Sequence, residues 1–250
     1  MNPFDLTGRT AVVTGGGRGL GLGISQALLE AGADVIVLGR NGVPAELTDH
    51  AASLGRAVHF YPLDLADGDA VAATAHQVLA EHRVDVLVNN AGTQDRHPAV
   101  DFPLDSWDRV MDVNLRAVFQ LCQIFGRPML ERGEGKVVNL ASLLSFQGGL
   151  TVPAYAASKG AVAQLTKALC NEWAGKGVNV NAVAPGYMAT DMNTALLADP
   201  VRLEQLSVRI PAGRWGQPED IGNVVVFLAS AAAGYVHGQV LAVDGGWLAR

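Results

Sequence analysis

Tyr155 and Lys159 stand four residues apart in Tyr155-Ala156-Ala157-Ser158-Lys159, with Ser142 thirteen positions upstream. On a helix, residues at i and i+4 share a face, so the lysine ammonium lies near the phenol and favours its deprotonated form. A free phenol has a pKa of about 10. Brought toward neutrality, it exchanges a proton with an alcohol or carbonyl oxygen while a hydride moves at the adjoining carbon. Taken singly, such a pair is an ordinary surface feature. What gives it meaning is Thr14-Gly15-x-x-x-Gly19-x-Gly21 near the start of the chain. A glycine loop that follows a strand and opens a helix brings backbone amides to a bound pyrophosphate.

The spacing of that loop, with Asn89-Asn90-Ala91-Gly92 further on, resembles the short-chain dehydrogenase/reductase family, and the likeness runs over nearly the whole chain. The resemblance implies a catalytic tetrad of Asn114, Ser142, Tyr155 and Lys159. In it Tyr155 is the acid/base, and Lys159 tunes the phenol and bonds the nicotinamide ribose. Ser142 orients the substrate oxygen, and Asn114 holds a water that relays protons to Lys159. It implies a dinucleotide cradle of Gly15, Arg18, Gly19, Leu20 and Gly21, with Asp64 and Leu65 at the adenine, Asn90, Ala91 and Gly92 beside the ribose, and Pro185, Gly186, Met188 and Thr190 at the carboxamide. Tyr155 and Lys159 also face the dinucleotide.

The end of the second strand carries Gly39 and Arg40 in place of the acid that accepts from the ribose 2′-hydroxyl in NAD enzymes. Arg18 precedes Gly19. Two guanidiniums and no carboxylate favour a 2′-phosphate. The cofactor is therefore expected to be NAD(H) or NADP(H), with the balance leaning to NADP.

Segments 142–149, 185–190, 211–216 and 244–250 are similar to those of family members acting at a secondary hydroxyl of sugar acids, which implies such a substrate. A carboxylate and several hydroxyls call for a cation and polar side chains past the reacting carbon. Arg96 is the expected cation, and Ser142, Ser145, Gln147 and Tyr187 the hydroxyl partners. A gluconate 5-dehydrogenase and a 3-oxoacyl carrier-protein reductase are alternatives within the family. A dinucleotide-sensing regulator without turnover is the alternative outside catalysis, although such a protein is expected to lose tetrad members.

The formal charge of −6 over 250 residues, without a Lys/Arg cluster, argues against nucleic acid or an anionic membrane as partner. The same acidity disfavours docking of an acidic carrier protein. The six histidines lack metal-ligand spacing, so no catalytic metal is expected. Cys122 and Cys170 lie far apart in apolar helical surroundings, as reduced core thiols do. With no secretory leader pattern at the first residues and no apolar run of about 20 residues, the expectation is a cytoplasmic protein.

These groups need a scaffold. Short Val/Ile/Leu runs near 10–14, 34–38, 57–61, 84–88, 135–141, 177–183 and 238–243 read as buried parallel strands. Helical apolar spacing falls near 20–31, 67–82, 105–130, 154–174 and 218–230. The alternation predicts one α/β domain over 1–250, a Rossmann-type doubly wound parallel sheet of about seven strands. Ligand is expected beyond the carboxyl ends of the first and fourth strands, under a lid near 187–215. The resemblance implies a homotetramer built partly through the 105–130 and 154–174 helices.

Overall fold

The computed structural model describes residues 2–190 and 199–250. Seven strands form one all-parallel sheet in the order β3-β2-β1-β4-β5-β6-β7. They are β1 (Thr10–Thr14), β2 (Asp34–Gly39), β3 (Val58–Pro62), β4 (Val86–Asn89), β5 (Gly135–Leu140), β6 (Val178–Pro185) and β7 (Val240–Val243). Residues such as Ala11, Val12 and Val13, or Ile36, Val37 and Leu38, are buried without alternation because helices cover both faces.

One layer holds α1 (Gly19–Glu30), α2 (Ala45–Ser53) and α8 (Pro218–Ala229), which bury Ile24, Leu28, Leu47, Ile221 and Val225 against the sheet. The other holds α3 (Gly68–Glu81), α5 (Ala117–Arg132) and α6 (Pro153–Trp173), with Val71, Leu121, Phe125 and Leu169 on the opposite face. A shorter helix, α4 (Leu104–Met111), leads into α5, and α7 (Pro200–Ser207) follows β6. The chain crosses from β3 to β4 past β2 and β1, so strand order reverses between β1 and β4 and a crevice opens at their carboxyl ends.

Three elements differ from the sequence pattern, one being α7, a helix inside the 187–215 stretch expected as a lid. Helix α2 was not expected, since only Leu47 and Ala51 are buried and the apolar repeat is correspondingly faint. The continuous 105–130 helix is divided by a π turn at Asp112–Arg116, where one extra residue per turn re-aims side chains. Of the expected lid, 191–198 lies outside the described residues. Its flanks are tied down: Met188 bridges to Gly216, and Ile210 and Trp215 are buried with Leu143 and Trp247. Both cysteines are free thiols, and burial pushes that of Cys122 to about 12. Among the described residues no helix is long and apolar enough to cross a membrane, and no group of three metal-ligating side chains forms.

Candidate active site

The crevice between β1 and β4 is stapled by one hydroxyl. Thr14 Oγ1 accepts from the backbone N–H of Asn90 and of Ala91, each at 3.0 Å, and Asn90 Nδ2 donates to the Thr14 carbonyl at 2.8 Å. Gly15 follows with φ of +66°, a left-handed turn that a side chain resists. At Gly21 the constraint is space, because a Cβ there would lie 2.0 Å from the Gly15 carbonyl oxygen. The first turn of α1 thus sits directly on the loop, with no side chain capping its amides. Unpaired N–H groups at a helix start, lined by glycine, suit a pyrophosphate.

Around this notch the chain gathers most of the expected cofactor residues. Gly39 closes β2 beside Gly15, with a hypothetical Cβ 3.8 Å from the Gly15 Cα. Thr190 reaches over from the far side, its Cβ 4.0 Å from where a Gly19 Cβ would stand. Leu20 is half-buried against the core and Leu65 is buried. Arg18 and Arg40 are exposed, and among the described residues neither forms an ion pair. Asp64 is also exposed, its carboxylate accepting from the Ala66 N–H at 3.1 Å. Pro185 ends β6, Gly186 follows it, and Met188 is buried. The donor set and the glycine notch therefore fit a dinucleotide.

Below the notch lie the groups that could do chemistry. Ser142 leaves the end of β5, while Tyr155 and Lys159 project from α6. The Ser142 side chain faces the Tyr155 phenol closely enough to favour its ionised form, and the Lys159 Nζ stands 5.7 Å from the centre of the Tyr155 ring. Burial raises the phenol above its usual range, and the Ser142 side chain lowers it in part. Lys159, almost fully buried, is pushed down to about 8 by desolvation. Its Nζ donates to the Leu140 carbonyl at 2.5 Å.

Asn114 sits in the π turn with its side chain wholly buried. Its amide brackets the backbone of Thr93, accepting from N–H and donating to C=O at 2.8 Å each, and it also donates to Ser158 Oγ at 3.1 Å. Ser158 in turn donates to the Tyr155 carbonyl at 2.8 Å. A Cβ at Gly92 would lie 3.4 Å from Asn114 Oδ1 and 3.7 Å from Lys159 Nζ. Asn114, Gly92 and Lys159 therefore meet, although the asparagine amide is occupied by protein partners.

The expected substrate residues divide. Tyr187 is wedged between Trp247 and Trp215, with ring centres at 4.7 and 5.4 Å, and Gln147 accepts from the Trp247 indole N–H at 3.4 Å. Both stand on the wall made by the last residues of the chain. Arg96 is exposed, and Asp95 faces His97 at 3.3 Å. Ser145 departs from expectation: its hydroxyl donates to the Lys159 carbonyl at 2.7 Å and accepts from the Ser142 N–H at 3.2 Å. Ser158, Trp247 and the Leu140 carbonyl went unread, because nothing in residue type or spacing marks a hydrogen-bond partner brought in by the fold.

A family model described as enoyl-(acyl carrier protein) reductase matches residues 15–248. The chain belongs to the short-chain dehydrogenase/reductase family. That membership makes it an NAD(P)-dependent oxidoreductase. Among curated short-chain dehydrogenases, the 2-dehydro-3-deoxy-D-gluconate 5-dehydrogenase of Bacillus subtilis is 50% identical, over 99% of this chain and 97% of that protein. A Beutenbergia cavernae protein, provisionally assigned as an NAD(P)-dependent gluconate 5-dehydrogenase and solved with NADP at low occupancy, is 53% identical with a TM-score of 0.96 over 100% of both chains. The gluconate 5-dehydrogenase of Burkholderia cenocepacia, solved with NADP and tartrate, is 41% identical with a TM-score of 0.93, over 100% of this chain and 98% of that one.

Proposed function

We propose that this short-chain dehydrogenase interconverts a secondary hydroxyl and a ketone on a sugar acid of the 2-dehydro-3-deoxygluconate or 2-deoxygluconate type. The substrate class is carried by full-length likeness to the curated Bacillus enzyme at 50% identity. A bound nicotinamide would supply the hydride donor or acceptor and, when oxidised, a positive charge. In the oxidative direction Tyr155, as phenolate, takes the hydroxyl proton while the hydride leaves the same carbon. In reduction the phenol returns that proton to the carbonyl oxygen. Ser142 aims the substrate oxygen at Tyr155, and the Lys159 ammonium stabilises the phenolate. Asn114 fixes the Thr93 backbone and the Ser158 hydroxyl, and through them the start of α6.

Arg18 and Arg40, exposed at the adenosine end, favour NADP over NAD by charge-assisted hydrogen bonds to a 2′-phosphate. Arg96 is proposed as the anchor of the sugar-acid carboxylate, with Gln147 and Tyr187 on the opposite wall, and 187–215 as the lid. A cytoplasmic location accords with two free thiols. A homotetramer accords with the face of α6 that carries exposed Ala157 and half-buried Ala161 and Leu165, and with Phe119 on α5, which is 40% exposed.

The test is a turnover screen of sugar acids, polyols and β-ketoacyl thioesters with both cofactors. The expected result is highest kcat/KM for a 2-dehydro-3-deoxy or 2-deoxy sugar acid with NADP. Preference for a thioester overturns the substrate class.

A further inference from the structure

We infer that Ser145 is a positioning residue that holds Ser142 in register with α6, its proton committed to the fold and not to the sugar. The inference rests on the catalytic reading of Ser142, Tyr155 and Lys159 given above. Those groups come from two separate elements, the end of β5 and the first turns of α6. The chain between them runs through exposed Phe146 and Leu150 and through Thr151 at φ of +62°, a stretch with little burial to hold a distance. The register is set instead by cross-links.

Ser145 supplies two of them from a single oxygen. It ends the short 3₁₀ turn Leu143–Ser145 that Ser142 begins, and the two serines form a reciprocal cap. Its hydroxyl accepts from the Ser142 N–H at 3.2 Å, and its proton goes to the Lys159 carbonyl at 2.7 Å. A hydroxyl has one proton and two lone pairs. With the proton on Lys159 and one lone pair on Ser142, the group cannot donate to a substrate hydroxyl. The backbone of the oxygen-orienting serine is thereby pinned to the backbone of the residue bearing the ammonium. Losing the pin lets Ser142 drift from Tyr155, and displacements below 1 Å at a reacting centre cost about tenfold or more in rate.

The test compares Ser145→Ala and Ser145→Thr with the unaltered enzyme, on the best sugar acid from the screen and on a neutral ketone. Expected for Ser145→Ala is a kcat lowered about tenfold on both substrates. KM for the sugar acid should stay within about twofold, with unchanged dinucleotide binding, since no contact to either ligand is removed. Ser145→Thr, which keeps the hydroxyl, should recover most of the lost turnover. A raised KM for the sugar acid alone at constant kcat overturns the inference in favour of a substrate contact. Unaltered kinetics on both substrates overturn it as well. If Ser145→Ala does not fold, Ser145→Cys, of similar size with a weak donor, carries the same comparison. A Tyr155→Phe protein assayed alongside separates the two failures, because full turnover there discards the catalytic reading whatever Ser145 does.

Discussion

Lys159 and Leu140 tie α6 to the end of β5: the ammonium donates to the strand's last carbonyl at 2.5 Å while nearly sealed from solvent. The lysine is thus held where it is expensive to keep charged. Its fall from the usual 10.5 to about 8 corresponds to about 3 kcal/mol.

For a group whose folded pKa lies below its unfolded value and whose charged form is the protonated one, the cost is complete below the folded pKa. It is relieved as pH rises toward the unfolded value, because the unfolded chain then binds the extra proton. The window here is pH 8 to 10.5. Lys159→Met should therefore be more stable than the unaltered protein at pH 7, by about 1–3 kcal/mol after loss of the Leu140 bond. The difference should shrink toward pH 10, and turnover should collapse. Urea unfolding at the two pH values measures this, and a variant less stable at pH 7 contradicts it.

Tyr155→Phe removes the proposed proton carrier and little packing. Turnover should drop about 10²- to 10⁴-fold with dinucleotide affinity retained, read by steady-state kinetics and a fluorescence titration. Because the Ser142 side chain lowers the Tyr155 pKa against the rise from burial, Ser142→Ala should shift the acidic limb of kcat/KM for alcohol oxidation to higher pH. An unmoved limb would mean that some other group titrates there.

Gly39 borders the cofactor notch with room for a side chain, its Cβ direction meeting nothing closer than 3.8 Å. Gly39→Asp should place a carboxylate where the ribose 2′ position falls, rejecting a phosphate and accepting from a hydroxyl. The expected outcome is a kcat/KM for NADP lowered about 100-fold, as repulsion replaces a charge-assisted bond, with NAD improved or unchanged. An equal loss with both cofactors would count against the assignment of that end of β2.

Arg96 is exposed near Asn89-Asn90-Ala91-Gly92. If its guanidinium anchors the sugar-acid carboxylate, Arg96→Leu raises KM for the acid about 10- to 100-fold, the worth of a charged hydrogen bond, and leaves a neutral ketone nearly untouched. Equal effects on the acid and the ketone leave no anchoring role for Arg96.

All seven strands were legible from apolar runs: the central ones because a strand covered on both faces has no polar side to confuse the pattern, and the half-exposed edge strands β3 and β7 because their short apolar runs are bounded by turn residues. The reversal between β1 and β4 is the usual order of the doubly wound fold, so it came from fold analogy once strand–helix alternation was read. Helix α2 was not legible, because a helix burying only two side chains leaves almost no periodic trace. The π turn was not legible either. It coincides with the backbone partners that Asn114 finds at Thr93, twenty-one residues away, which no local pattern announces.

The sequence by itself determined which chemical groups exist and that local spacing puts Tyr155 and Lys159 on one helix face, because helix pitch is a property of the backbone. Tertiary structure alone decided what those groups are bonded to. Ser145 is turned onto the Lys159 carbonyl, Lys159 onto Leu140, Gln147 under Trp247, and Thr14 across to Asn90 and Ala91. Each of these pairs joins residues separated by at least fourteen positions. Hydrogen bonds act over about 3 Å, so the partner is fixed by which strands and helices the closed core sets side by side.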